Sequence, residues 1–411
     1  MLAVGSRGDV QPLAVLAGAL GRRGVRVRVV ALAEYAGVVA DEAPAAAFVP
    51  VAGRLSDAIR RGGVGELLTR TSAGQLVLLQ RWTAGMAPAV ATAALSAVER
   101  GDVVLSGVLS RGVADALAEA RGCRAATVAY TGQVPTLERD SHFYSPHFTG
   151  WRPFDAWGVR ANWQLASAAG RAITADARAR LGLPRAGFRR AAADADRHPV
   201  LVAASPTLVP PAADWPVGVH QTGYLAPPPR PFTPDAALAD FLAGGPPVWV
   251  GFGSFTHFTT RDEFGLVVGA AARAGRRVVT PALPGMPPGP VNRSVFAVAP
   301  TPHRWLFERV AGAIHHGGSG TTHEGLLAGV PSAVVPFGVD QPYHGRRLHQ
   351  LGVGPAPLPV RRLSAERLGR LIRDLESPGY RRRAAEVGAI VRAEDGVART
   401  VDLLDSLGYL A

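Results

Sequence analysis

The stretch Ile314-His315-His316-Gly317-Gly318-Ser319-Gly320-Thr321-Thr322-His323-Glu324-Gly325 gathers side chains that can bind an anion. An apolar run ends at the two histidines, and a helical pattern begins after the glycines. The glycines therefore sit where a strand passes into a helix. Glycine leaves backbone N–H groups accessible there, and a helix N-terminus adds partial positive charge. Ser319 and Thr321 add hydroxyl donors, and His316 can donate to a phosphate oxygen without a metal. The same residues also suit a plain tight turn capped by Thr321. The spacing matches neither G-x-G-x-x-G nor a P-loop, so neither a dehydrogenase nor a kinase is supported. His315 and His316 are strand neighbours pointing to opposite faces, and no cluster has metal-ligand spacing.

A second chemical turn lies near the start, in Gly5-Ser6-Arg7-Gly8-Asp9-Val10-Gln11-Pro12. The Asp9 carboxylate can take a proton from a hydroxyl. It can equally cap the first helix. A third group is aromatic. Eight of the 28 aromatic residues fall between positions 130 and 163. Among them Tyr130, Phe143, Tyr144 and Phe148, with His142 beside them, suit a large apolar ligand at a strand end.

These residues need elements to position them. Met1 to Val4 reads as a short strand. Pro12 suits the first turn of a helix that carries Leu13, Leu16, Ala17 and Leu20 at helical spacing. Gly24 reads as its C-terminal cap, and Val25 to Ala31 as a strand. This is the opening of a parallel α/β sheet. Val103 to Leu105, Ala125 to Ala129 and Val200 to Ala203 read as further strands, the last ending this half. A proline-rich stretch from Pro206 to Pro234 reads as a linker. The pattern restarts with strands at Val248 to Phe252, Arg277 to Thr280, Val295 to Val298, Ala313 to His316 and Ser332 to Pro336. Helices are expected at Arg261 to Ala274 and Thr322 to Ala328, and two more close the chain. The expected organisation is an N-terminal domain over 1–205, a linker over 206–240, a C-terminal domain over 241–395 and a terminal helix over 396–411 packing back.

Composition excludes several classes. The chain has 411 residues and a formal charge of +12. All 44 basic residues are arginine. They are scattered, and the densest cluster, Arg381-Arg382-Arg383, is shorter than a basic patch, so a nucleic-acid partner is not expected. Excess alanine, glycine, proline and arginine fits a GC-rich coding bias. The hydrophobic fraction of 47% excludes a disordered chain. A single cysteine, Cys123, excludes a disulfide framework. No apolar run is long enough to span a membrane, and no signal peptide is apparent, so a cytoplasmic location is expected.

The stretch His316 to Gly325, continued by Gly329-Val330-Pro331 and by Pro336-Phe337-Gly338-Val339-Asp340-Gln341-Pro342, resembles the donor-binding signature of GT-B nucleotide-sugar glycosyltransferases. Gly5 to Pro12 resembles the bacterial branch that decorates glycopeptides and macrolides, and the related sterol glucosyltransferases. The resemblance covers the C-terminal half and the first 30 residues. It implies an α/β protein of two Rossmann-like domains facing a cleft. It implies an inverting, metal-independent transfer from a TDP- or UDP-sugar to a hydroxyl of a small-molecule acceptor, with no cofactor. Asp9 would be the catalytic base. Ser254, His316, Gly318, Ser319, Gly320 and Thr321 would bind the diphosphate. Glu324 would bind the ribose, with His303 and Trp305 beside the base. Asp340 and Gln341 would bind hydroxyls of the transferred sugar. Tyr130, His142, Phe143, Tyr144 and Phe148 would meet the acceptor. A monomer or homodimer is expected. The alternatives are a non-catalytic nucleotide-sugar-binding or auxiliary protein of the same fold, a sterol or lipid glucosyltransferase, and, more remotely, a nucleotide-sugar epimerase.

Overall fold

The computed structural model describes residues 1–54, 72–142, 149–185, 197–252 and 261–410. They form two compact units, Met1–Pro227 with Asp395–Ala411, and Pro228–Glu394.

In the first unit the described strands are β1 (Leu2–Ala3), β2 (Arg28–Leu32), β3 (Ala47–Val51), β4 (Val103–Gly107), β5 (Arg124–Ala129), β6 (Val200–Val202) and β7 (Val219–Gln221). They make one parallel sheet in the order β3-β2-β1-β4-β5-β6-β7. Strand side chains alternate between the faces. Leu2, Val30 and Val104 join Trp82, Val90, Leu117 and Ile173 in one core. Ala3, Val29, Ala31 and Leu105 join Leu13, Leu16, Leu20 and Leu404 in the other. Helices on both faces bury both sides, which is why the strands read as continuous apolar runs.

Three expectations change here. The first helix is Arg7–Arg22, so Pro12 lies inside it rather than in its first turn. The cause is local: Asp9 Oδ2 accepts from Ser6 N–H at 2.7 Å and Ser6 Oγ at 2.9 Å. That cap starts the helix at Arg7, five residues before the proline. Val200–Val202 does not end the sheet, because Val219–Gln221 pairs beyond it. Residues 206–227 therefore belong to the first unit, and the division falls at Pro227–Pro228.

The last helix, Gly396–Ser406, is also part of the first unit. A Cβ on Gly396 would lie 2.4 Å from Gly223 C and Tyr224 O. The helix touches the chain there with no room for a methyl.

In the second unit the described strands are β8 (Val248–Gly251), β9 (Val278–Pro281), β10 (Gly289–Pro290), β11 (Val295–Val298), β12 (Gly312–His315) and β13 (Ser332–Val334). Their order is β10-β11-β9-β8-β12-β13, parallel except for the β10–β11 pair. The chain leaves β8 toward β9 on one side and later returns to β12 on the other. The switch point thus lies between β8 and β12, the position where open α/β sheets bind ligands.

Gly396→Ala tests the close approach. Alanine normally favours a helix interior over glycine by about 1 kcal/mol. Here the clash should reverse the sign and destabilise the first unit by about 1–3 kcal/mol, read from urea unfolding.

Candidate functional site

In the second unit the site is built on the turn after β12. Gly317 has φ +92°, and a Cβ there would lie 2.7 Å from Val334 Cγ1. Both facts demand glycine. Gly317 N–H donates to His315 Nδ1 at 3.1 Å, and Gly317 C=O accepts from His344 Nδ1 at 2.7 Å. Two buried imidazoles thus hold the turn from its donor and its acceptor. His344 was not among the expected site residues. Its only sequence signal is the four-residue spacing from Asp340 on the helix Gln341–Gln350.

Gly318 is the N-cap of the helix Ser319–Ala328, with no side-chain cap. The cap is therefore not Thr321, which sits buried in the first turn. A Cβ on Gly318 would lie 2.4 Å from His316 Nε2, so glycine is what lets the His316 ring lie against the turn. The helix's own bonding starts with Thr322 N–H to Gly318 O at 3.0 Å, reinforced by Thr322 Oγ1 on the same carbonyl at 2.9 Å. By helix geometry the N–H groups of the preceding residues project from the helix end. Residues 321–327 are all buried, while Gly318, Ser319 and Gly320 at the helix end are half-buried. His323 Nδ1 donates to Ser319 O at 2.7 Å and stands 3.3 Å from Ser319 Oγ.

These imidazoles are neutral. Burial brings His316 down to about 3, with His303 and His344 pushing the same way. Burial also brings His323 down to about 3. His315 is driven well below its usual value by burial and by its histidine neighbours. His316 is thus a neutral hydrogen-bonding group at physiological pH, not a fixed cation.

Glu324 is buried and accepts from Arg304 Nε at 3.0 Å. Arg304 is a second residue the sequence pattern did not single out, although it lies between His303 and Trp305. The His303 ring stacks on Phe307 at 5.1 Å and meets Trp249 edge-on at 5.3 Å. Trp305 is half-buried, edge-on to Phe232 at 4.8 Å with the Arg309 guanidinium 4.3 Å from its ring.

Asp340 precedes the helix Gln341–Gln350, and burial raises its carboxyl above the usual range, while nearby His344 opposes the shift. Gln341 is buried, and its Oε1 accepts from Phe337 N–H at 2.8 Å and Gly338 N–H at 3.3 Å. Its side-chain carbonyl thus shapes the loop. Val339, between Gly338 and Asp340, takes φ +55°, a strained conformation for a β-branched residue.

In the first unit Asp9 sits after β1, at the switch between β1 and β4. Its Oδ2 serves the helix cap. Gly5, at φ +146°, makes room for it, since a Cβ there would lie 2.3 Å from Oδ2. Tyr130 is buried and its hydroxyl donates to the Asp9 carbonyl at 3.0 Å. It therefore anchors the Asp9 turn. His142 is wholly buried, and burial brings it down to about 4 against the opposing pull of Asp214. Neither ring is presented to solvent. Ser254, Phe143, Tyr144 and Phe148 lie outside the described residues.

Comparison with known proteins places this geometry. Residues 280–402 match the family model described as erythromycin biosynthesis protein CIII-like, C-terminal domain. The chain is 34% identical over 264 residues to O-mycaminosyltylonolide 6-deoxyallosyltransferase of Streptomyces fradiae, covering 62% of this chain and 59% of that protein. It is 35% identical over 221 residues to vancomycin aglycone glucosyltransferase of Amycolatopsis orientalis, covering 51% of each. A sterol 3-beta-glucosyltransferase of Arabidopsis thaliana is 34% identical over 206 residues, 48% of this chain and 33% of that protein. The chain thus spans about a third to three-fifths of these relatives. Among solved structures, the calicheamicin glycosyltransferase CalG4 matches with a TM-score of 0.69 at 21% identity, over 100% of this chain and 98% of that one. The chain has the GT-B fold, and over about half of its length its sequence is similar to natural-product glycosyltransferases. Its His316 turn and its Asp340-Gln341 pair both lie inside the region that the family model matches.

Buried neutral histidines make the second unit acid-sensitive. Their folded values lie below the unfolded value near 6.5, so their contribution is complete above that pH and falls as acid protonates the unfolded chain. At pH 5 each such histidine should cost about 2 kcal/mol relative to pH 7. Thermal melting should drop steeply below pH 6 and level off above 7.

Proposed function

We propose that this protein is an inverting glycosyltransferase. It moves a sugar from a TDP- or UDP-sugar to a hydroxyl of a small-molecule natural product, such as an antibiotic or polyketide aglycone. The observation that carries the reading is the turn after β12, with the His316 ring against Gly318 at the head of a buried, uncapped helix. Such a helix end stabilises a diphosphate through backbone N–H groups and dipole. Neutral His316 adds a directed hydrogen bond to a phosphate oxygen. In this reading the charge on the leaving diphosphate is met by these groups, without a metal or cofactor. Glu324, held by Arg304, takes the ribose hydroxyls, with His303 and Trp305 near the base. Asp340 and Gln341 take hydroxyls of the sugar, and Ser254 assists at the phosphates.

The chemistry is a single displacement. The acceptor oxygen attacks the anomeric carbon, the bond to the diphosphate oxygen breaks, and configuration inverts. Asp9 receives the acceptor proton on its carboxylate. The relatives that act on a tylonolide and on the vancomycin aglycone support an antibiotic-type acceptor, and the sterol-glucosylating relative supports a lipid acceptor as the second reading. We place the protein in the cytoplasm, as a monomer or homodimer, with no nucleic-acid partner.

Two substitutions test the reading. Gly318→Ala should push the His316 ring off the turn and weaken TDP or UDP binding about tenfold or more by calorimetry. Unaltered affinity would remove the turn from the donor site. Asp9→Asn should lower kcat by roughly 10²–10⁴ while nucleotide affinity holds. Wild-type turnover in that variant would refute the base.

A further inference from the structure

Arg304 and Glu324 form an ion pair inside the second unit. Arg304 stands on the short helix His303–Phe307, and Glu324 on the helix Ser319–Ala328, six residues beyond its Gly318 cap. At about 1.5 Å of rise per residue, Glu324 lies roughly 9 Å along the helix from that cap. Arg304 Nε stands 3.0 Å from Glu324 Oε2, and the two side chains are 23% and 7% exposed. A pair this sheltered is not the screened surface kind that contributes little.

The arginine is costly where it stands. Its Nη2 is buried and, among the described residues, has no hydrogen-bond partner. Other sheltered arginines of this protein clamp backbone carbonyls, as Arg178, Arg277 and Arg392 do. Arg304 reaches no carbonyl among the described residues, and its one hydrogen bond there is to Glu324. A buried donor left unmatched works against stability, so the fold alone does not account for an arginine at this position.

What the bond does is commit one oxygen of Glu324. A carboxylate meets a vicinal diol best with one oxygen for each hydroxyl. Here Oε2 already accepts a charge-assisted bond from Arg304 Nε. The carboxylate therefore cannot give both oxygens, unshared, to the 2′- and 3′-hydroxyls of a ribose. A 2′-deoxyribose brings only its 3′-hydroxyl and makes no second demand. A 2′-hydroxyl taken out of water onto an acceptor already in use weakens binding.

We propose that Arg304 is a positioning residue that sets nucleoside preference. By holding Oε2 of Glu324 it makes the donor site favour a 2′-deoxyribonucleoside diphosphate over the ribonucleoside form. The inference rests on the reading of Glu324 as the ribose-binding carboxylate, and of the two donor classes it selects the TDP-sugar.

The test is calorimetric titration of the full chain with UDP and with 2′-deoxy-UDP, which share base and diphosphate and differ only at the 2′ position. Wild type should bind 2′-deoxy-UDP about fivefold tighter or more. Arg304→Met, of similar length but without the donors, should bring that ratio to about one or reverse it, whatever the general loss of affinity. A merely structural arginine would weaken both nucleotides alike and leave the ratio where it was, and that result overturns the proposal. So does a wild type that binds UDP as tightly as 2′-deoxy-UDP, a comparison that needs no variant to fold. Wild type that binds neither nucleotide removes the donor-site reading itself, and this inference with it.

Discussion

The turn at Gly317 is the constraint on which the second unit depends. Its N–H is bound by His315 and its C=O by His344, and its φ admits only glycine. With both backbone groups fixed, the next residue has no freedom to drift. Gly318 then caps the buried helix, and the His316 ring occupies the space a methyl would need. The arrangement works only while the imidazoles stay neutral. Protonating His315 would turn Nδ1 from an acceptor into a donor facing the Gly317 N–H. Burial excludes that state at neutral pH. The same desolvation that keeps the imidazoles neutral thus also protects the geometry of the turn.

Sheet topology supplies the rest of the positioning. In both units the chain departs from the first strand to one side and returns on the other. Asp9 follows β1 at one such switch, and the His316 turn follows β12 at the other. Neither position needs a specialised scaffold, because the strand order opens a crevice at each. What is specialised is how each turn is stiffened. Asp9 is tied through Ser6 and through the Tyr130 hydroxyl on its carbonyl. Asp340 is approached by His344 at 3.7 Å, and Gln341 draws the Phe337–Gly338 loop inward. Val339 accepts a left-handed backbone as the consequence.

Much of this was legible from the residues. The strands at Val295–Val298 and the helix at Arg261–Ala274 stand where periodicity puts them. The glycine turn shows as a strand-to-helix junction because glycine serves a backbone purpose that sequence exposes. Other features depend on contacts that sequence hides. Pro12 looked like a helix start, but the Ser6–Asp9 cap begins the helix earlier. β7 is three residues long within a proline-rich stretch, and only its pairing with β6 makes it a strand. The 26-residue helix Ser72–Ala97, which contains Pro88, carries no clean polar face, because its neighbours bury much of it. His344 and Arg304 matter through what they touch, Gly317 O and Glu324, across 27 and 20 residues of chain.

The arginines also change meaning once their partners are seen. Their number reads as coding bias, and many lie at the surface. Yet the guanidinium repeatedly closes off backbone carbonyls that no regular element serves. Arg124 donates to Leu407 and Gly408 carbonyls and lies 4.5 Å from the Tyr409 ring, fixing the end of the chain to β5. Arg277 reaches the Phe241 and Gly245 carbonyls, and buried Arg178 reaches Pro184 O while pairing with Glu119. Arg392 donates to Leu327 O, near the C-terminal end of the helix Ser319–Ala328. One planar group serving two acceptors at fixed angles is something an ammonium does poorly. Several of these arginines could not become lysine without freeing a carbonyl. A bias that began in codons has been built into the fold, and the +12 charge is partly the by-product of those clamps.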